Sequence, residues 1–159
     1  MTVLIRTAEG PDCARLAEIE ELCFRDGYSD KMLSREEFRD LVADDVNQVL
    51  VATDGAQVCG YALLLVERDE NAGYFDSLAI DPQFQGKGIG EDLFKAVETT
   101  CVQMKLGVLN LEIKENNYTL LKRYHRFGYK CFQVEEAYYA DGWSALRMRK
   151  TVAAIAGTE

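Results

Sequence analysis

One histidine, His125, is all that the chain's 159 residues provide, and two prolines, Pro11 and Pro82, are its only imino acids. With so little imidazole, a zinc centre is poorly supplied. The five cysteines (Cys13, Cys23, Cys59, Cys101, Cys131) are odd in number and contain no C-x-x-C pair. That pattern excludes a disulfide framework and points to reduced thiols in a cytoplasmic protein. Positive charge is also short: 18 Lys and Arg stand against 27 Asp and Glu, for a net charge of −9. A nucleic-acid groove needs a basic face, so none is expected. The acidity suits a cationic substrate, and equally it suits plain solubility. No apolar run approaches the ~20 residues of a membrane span. The opening "MTVLIRTAEG" lacks the basic-then-apolar order of a signal peptide.

What remains is one globular domain, long enough to bury roughly two-thirds of its unfolded surface. "VLIRT" reads as a strand. Gly10 and Pro11 open a helix whose Cys13, Leu16, Ile19 and Cys23 recur at helical spacing, with Gly27 as its stop. Ser34 and Glu37 form a capping box ahead of Phe38, Leu41 and Val42. "NQVLVAT" and "QVCGYALLLVE" are strands joined at Asp54-Gly55, and "AGYFDSLAI" is the next. Ile89, Leu93, Val97, Cys101 and Met104 make a helical stripe ending near Gly107, followed by the strand "VLNLEI". Asn117 caps a short helix over 118–126 that Gly128 closes. "YKCFQVEEAYY" and "WSALRMRK" read as two strands around Asp141-Gly142. The predicted order is β-α-α-β-β-β-α-β-α-β-β, an α/β fold with a mixed sheet, spanning 1–150 with a tail over 151–159.

The stretch "DPQFQGKGIGEDLFK" sets Gly86, Gly88 and Gly90 at alternate positions directly before a helix. Bare backbone lets a ligand approach the main chain, and a helix start presents unpaired N–H groups at the positive end of its dipole. Together they suit an anion, most naturally a phosphate. No Gly-Lys-Ser/Thr is present, so the loop is not Walker A, and G-x-G-x-G is not the dinucleotide spacing. Gln85-Gly86-Lys87-Gly88-Ile89-Gly90 fits a third pattern, Gln/Arg-x-x-Gly-x-Gly/Ala.

On these residues "LAIDPQFQGKGIGEDLF" resembles the acyl-CoA pyrophosphate loop of the GNAT superfamily of N-acetyltransferases. "LEIKENNYTLLKRYHRFGY" resembles the segment that follows in that superfamily, with Leu111, Ile113, Asn117, Tyr124, Gly128 and Tyr129 in register. Leu120 stands where the family usually has Ala, and Arg123 where it has Leu. The element order is the family's too. "EEAYYADGWSALRMRK" and "ELCFRDGYS" are similar to segments of the N-terminal protein acetyltransferases, including the bacterial ribosomal-protein alanine acetyltransferases.

The resemblance implies acetyl-CoA as cofactor, with CoA as product. The main chain of Gln85, Gly86, Lys87, Gly88, Ile89 and Gly90 would hold the pyrophosphate. That of Leu78, Ala79 and Ile80 would carry the pantetheine arm like an added strand, with a Leu78 or Ile80 N–H on the thioester oxygen. Asn117 is a helix cap on its own evidence, and the resemblance adds a hydrogen bond to the cofactor. Tyr124 becomes the general acid for the departing thiolate; a phenol with a pKa of about 10 suits that task. Glu112 or Asp76 becomes the base. As bland alternatives, each is a solvated strand carboxylate or pairs with Lys114 or Arg123. Tyr28, Tyr138 and Tyr139 would grip the acceptor. If Tyr138 and Tyr139 lie on a strand, alternation lets one of them face the site unless a bend intervenes.

The expected acceptor is the α-amine of a protein or peptide N-terminus, attacked directly in a ternary complex. Two other readings stay open: acetylation of a small amine (a polyamine, an amino acid or an antibiotic), and a non-catalytic acyl-CoA sensor. Neither nucleic acid nor membrane is expected as a partner, and both a monomer and a homodimer remain open.

Overall fold

Strand β1 (Val3–Thr7) starts the chain, and a short 3₁₀ turn over Gly10–Asp12 follows it. The computed structural model describes residues 2–25 and 32–152. Pro11 sits in the first turn as expected, but a reciprocal Glu9–Asp12 capping box, not the proline alone, starts the helical segment. Helix α1 (Cys13–Phe24) then buries Cys13, Leu16 and Ile19. Helix α2 (Arg35–Ala43) opens with the foreseen box: Ser34 Oγ accepts from Glu37 N–H, and Glu37 accepts from Ser34 N–H.

Strands β2 (Gln48–Asp54) and β3 (Gln57–Glu67) form an antiparallel hairpin, turned at Gly55 with φ +63°. Strand β4 (Ala72–Ile80) precedes helix α3 (Ile89–Gln103), and strand β5 (Val108–Lys114) precedes helix α4 (Tyr118–Arg126). Strands β6 (Lys130–Glu135) and β7 (Ala145–Thr151) close the order, which matches the predicted one. The strands make a seven-stranded mixed sheet. No helix among the described residues is long and apolar enough to cross a membrane.

Two compact units divide the fold. The first holds the chain through Val66 together with Ser77–Thr99. Its strand β2 pairs with β1 on one side and β3 on the other, both antiparallel. Its core joins Leu16 and Ile19 of α1, Phe38 of α2, Val49, Val51, Tyr61 and Leu63 of the hairpin, and Ala79 of β4. The second unit holds Glu67–Asp76 and the chain from Thr100. There β4 runs parallel to β5, β5 antiparallel to β7, and β7 antiparallel to β6. Phe75, Leu106, Leu109, Leu111, Ile113, Tyr129 and Met148 are among its buried residues.

Three expectations change. Strand β6 stops at Glu135, so Tyr138 and Tyr139 lie on a loop; Ala137 just before them takes a left-handed φ of +51°, which ends extended backbone. Strand β7 begins at Ala145 and continues through Thr151, with Val152 fully buried, so the folded chain runs past 150. The turn after α3 is made by Lys105, at φ +60°, while a Cβ on Gly107 would press on the side-chain amide of Asn71 at 2.8 Å. Gly27 and Tyr28 lie outside the described residues.

Candidate active site

The glycine loop belongs to the first unit. Asp81 ends β4, and its carboxylate accepts from Gln83 N–H at 2.9 Å, which shapes the 3₁₀ turn Pro82–Phe84. Asp81 is buried, and Arg15 of α1 answers its charge through Nη2 at 2.5 Å; Arg15 Nε also donates to Val58 O at 3.0 Å. Burial pushes the Asp81 carboxyl upward, but the Gln83 N–H and Arg15 outweigh it and hold the group below the usual carboxylate range. Gln85 then folds back, its Nε2 donating to Ile80 O at 2.9 Å. That carbonyl also accepts from Cys23 Sγ at 3.1 Å.

Gly86 and Gly88 both take left-handed angles, φ +79° and +85°, and a Cβ on either would meet nothing within 4 Å. Their need for glycine is therefore a matter of backbone angle, not of crowding by the chain. Gly90 differs. It has helical backbone in the first turn of α3, where a Cβ would make ordinary contact with Leu78 Cδ2 at 3.7 Å and Ile80 Cγ1 at 3.9 Å. Nothing in the chain itself requires glycine there, and its bare backbone leaves room for a ligand to approach. Asp92 N–H donates to Gly88 O at 3.1 Å, so the helix starts inside the loop and the N–H groups just ahead of it have no intrahelical acceptor. These features fit a pyrophosphate held by main chain. Lys87 reaches over the Phe84 ring, 5.8 Å from its centroid.

The candidate proton-transfer residues belong to the second unit. Strand β4 pairs with β5 from Ala72↔Val108 to Phe75↔Leu111, although β4 runs on to Ile80 and β5 to Lys114. Asp76 and Glu112 each follow the last paired residue of their strand. Asp76 is exposed, while Glu112 is half-buried between the buried Leu111 and Ile113, on the face its alternation predicts. Cross-strand register sets Glu112 opposite Arg147 of β7, with Oε2 3.9 Å from Nε. Lys114 instead pairs with Asp141 and lies over the Tyr139 ring, 5.4 Å from its centroid.

That pairing fastens the 136–144 loop to the end of β5. Tyr138 and Tyr139 meet edge to face, centroids 5.1 Å apart at 83°. The loop closes through Tyr139 N–H to Trp143 O and Gly142 N–H to Tyr139 O. Tyr74 of β4 collects the surrounding charge: burial first, then Glu112 and Asp76, push its phenol far above the ordinary range, with Tyr138 adding and Arg147 opposing. Tyr74 and Arg147 escaped the sequence reading. Their one local signal is that Tyr74 precedes Asp76 by two residues on the same strand face; the register that adds Arg147 is not a local property.

Tyr124 lies two helical turns into α4, whose cap Asn117 accepts from Leu120 N–H at 3.2 Å. Its ring meets Tyr129 edge-on, centroids 6.0 Å apart. Burial raises its phenol above the ordinary value, and the Arg123 charge opposes that rise. His125 beside it is exposed, and Cys101 is fully buried. Among the described residues no group of His, Cys, Asp and Glu could hold a metal ion.

A family model described as "Acetyltransferase (GNAT) domain" matches residues 16–152. The chain is a GNAT acetyltransferase. It is 28% identical to the Mycobacterium tuberculosis N-alpha-acetyltransferase RimI, over 87% of this chain and 86% of that one. It is 28% identical to the Arabidopsis thaliana NAA10, catalytic subunit of the N-terminal acetyltransferase A complex, over 94% of this chain and 78% of that one. Among solved structures, the Escherichia coli ribosomal-protein-S18-alanine N-acetyltransferase superposes with a TM-score of 0.81 at 19% identity, covering 96% of this GNAT chain and 95% of its own. Acetyl-CoA is the cofactor of this family, and neighbours of the fold were solved with CoA or acetyl-CoA. The resemblance drawn from the two motifs is thus borne out at the level of family, fold and cofactor.

Proposed function

We propose that this GNAT enzyme acetylates the α-amine of a protein or peptide N-terminus by direct attack within a ternary complex. The observation that carries the reading is the shared electrostatic environment of Tyr74, Asp76, Glu112 and Tyr138: two carboxylates for an incoming ammonium, beside a loop tyrosine suited to a peptide. The names of the M. tuberculosis and A. thaliana relatives support it.

Acetyl-CoA, when bound, supplies the acetyl group as a thioester. Main-chain N–H groups over 85–90 would hold its pyrophosphate. Leu78 N–H orients and polarises the carbonyl, a contribution that grows where charge develops. Ile80 O already accepts two hydrogen bonds, so Ile80 contributes through its N–H. Asn117 keeps its capping bond and adds a contact to the pantetheine. Glu112 is the base: its carboxylate takes the proton from the acceptor ammonium, directly or through water, with Asp76 as the alternative. An α-amine, with a pKa near 8, is already partly neutral, so a modest base suffices. Tyr124 would give its hydroxyl proton to the departing sulfur; burial raises its proton affinity, which makes it a weaker acid but keeps it protonated before that transfer. Tyr138 and Tyr139 cover the first residues of the peptide.

The test is thiol release from acetyl-CoA with Ala- and Ser-initiated peptides, in parallel with spermidine and free amino acids, followed by mass mapping. Acetyl on the peptide α-amine supports the reading. Acetyl found only on lysine side chains or small amines would replace it with the small-amine reading, and no release with any acceptor would leave the sensor.

A further inference from the structure

We propose that Glu20 is a positioning residue of the transferase: one hydrogen-bonded chain through it ties the acyl-binding end of β4 to the start of α2. The inference rests on the proposed role of Leu78 N–H, because Ser77, the last link of that chain, immediately precedes Leu78.

Glu20 lies on α1 among Cys13, Leu16 and Ile19, only 4% exposed. A carboxylate on the buried stripe of a helix is costly unless it is well supplied with donors. No cation pairs with it among the described residues; it is held by donors alone. Leu33 N–H donates to Oε2 at 2.9 Å, and the Tyr61 hydroxyl donates to Oε1. As a carboxylate, Glu20 can only accept. The Tyr61 proton is therefore committed to Glu20, and the 2.8 Å contact between Tyr61 Oη and Ser77 Oγ has Ser77 donating. The chain runs from Ser77 to Tyr61 to Glu20, which Leu33 meets from the other side.

Its members come from four places: β4, β3, α1 and the residue before the Ser34 cap of α2. Tyr61 is fully buried and edge-on to Phe38 of α2, centroids 5.2 Å apart at 84°, so it has little room to adjust. An apolar pair of similar volume would stabilise this core as well or better. What the polar chain adds is direction. It sets where Ser77 sits along β4, and with it the peptide plane that carries Leu78 N–H. Small misplacements of such a group lower catalysis steeply.

The experiment compares Glu20→Ala, Glu20→Gln and Ser77→Ala with the wild type in the full chain. Leu106→Ala, which opens a cavity at a fully buried residue that is not a member of this hydrogen-bonded chain, serves as the stability control. Each is assayed well below its melting temperature for kcat/KM with the acceptor, and by calorimetry for acetyl-CoA affinity. Glu20→Ala and Ser77→Ala are expected to lower kcat/KM by about 10- to 100-fold. Acetyl-CoA affinity, set by the 85–90 loop, should stay within about twofold, and Leu106→Ala should lose melting temperature without losing kcat/KM. Glu20→Gln should recover most activity. Its Oε1 can accept from Leu33 N–H while Nε2 donates to Tyr61 Oη, whose hydroxyl then turns to Ser77 Oγ.

The proposal is overturned if Glu20→Ala loses melting temperature alone, with kcat/KM unchanged like the control. It is equally overturned if Glu20→Gln is as damaged as Glu20→Ala, because hydrogen-bond geometry would then not be what matters. If the wild type proves to use a small amine, the peptide reading fails but the comparison is made with that amine, so the two failures are distinguished.

Discussion

Glu112 on β5 stands directly across from Arg147 on β7, Oε2 to Nε 3.9 Å. At that separation the contact is Coulombic, not a hydrogen bond. A neighbouring cation favours an ionised carboxylate, so Arg147→Gln should make proton retention easier. The acid-side limb of the rate–pH profile is expected to move to higher pH. Stability should change by less than about 1 kcal/mol, as for other partly exposed pairs. In the same assay Glu112→Gln should lower turnover by about 10²–10⁴-fold. If instead Asp76→Asn does so and the Arg147 variant leaves the limb in place, Asp76 is the base.

Tyr124→Phe removes a hydroxyl and little volume. Turnover is expected to fall by about 10²–10⁴-fold with acetyl-CoA affinity nearly unchanged. Because burial holds the phenol above its ordinary value of about 10, it stays protonated as pH approaches that value. Any alkaline decline in wild-type rate below about pH 10 must then belong to another group. Stopped-flow rates of the chemical step across pH, for wild type and variant, check both statements; a variant as fast as wild type removes Tyr124 from the mechanism.

Gly88→Val tests the loop. A left-handed φ of +85° costs a β-branched residue about 1–2 kcal/mol or more, even though the space around it is open. The loop should re-form with different angles and lose acetyl-CoA affinity, as calorimetry would measure, while the melting temperature moves little. Undiminished binding by this variant would mean that the pyrophosphate does not rest on this main chain.

Arg15→Met leaves Asp81 buried without its cation. Removing one partner of a buried pair costs about 3–5 kcal/mol, and urea unfolding at neutral pH should show a loss of that order. The sign with pH follows from the direction of the shift. Asp81 is held below the usual carboxylate range when folded, so its contribution is present above that range and is lost as pH falls through the folded value. Wild-type stability should therefore drop on acidification more steeply than the variant's. Parallel acid dependences would show that the pair contributes little.

Much of the fold was legible along the chain because its signals are local. The Ser34–Glu37 box, the Asn117 cap and the Gly55 turn each depend on residues within a few positions, and each appears as read. The glycine loop was legible for the same reason. Tyr138 and Tyr139 were read as strand residues because both favour extended backbone, while the strand ends at Glu135 and Ala137 turns the backbone. No propensity marks an alanine for a left-handed angle. Lys114 was expected beside a base candidate because it is near in sequence; two residues on from Glu112 it shares that strand face, but the Asp141 loop claims it.

By itself, then, the sequence determined the order of elements, the glycine-rich loop before α3 and membership of an acetyl-CoA-dependent family. Those are written in periods of two and 3.6 and in spacings of a few residues, which the backbone obeys locally. Only the tertiary structure decided that Arg147 faces Glu112, that Arg15 answers Asp81, and that Ser77, Tyr61, Glu20 and Leu33 share one chain of hydrogen bonds. Each of those contacts joins elements distant in sequence. Strand register and the exclusion of water select which polar groups meet, and a buried charge must find its partner wherever the packed core brings one.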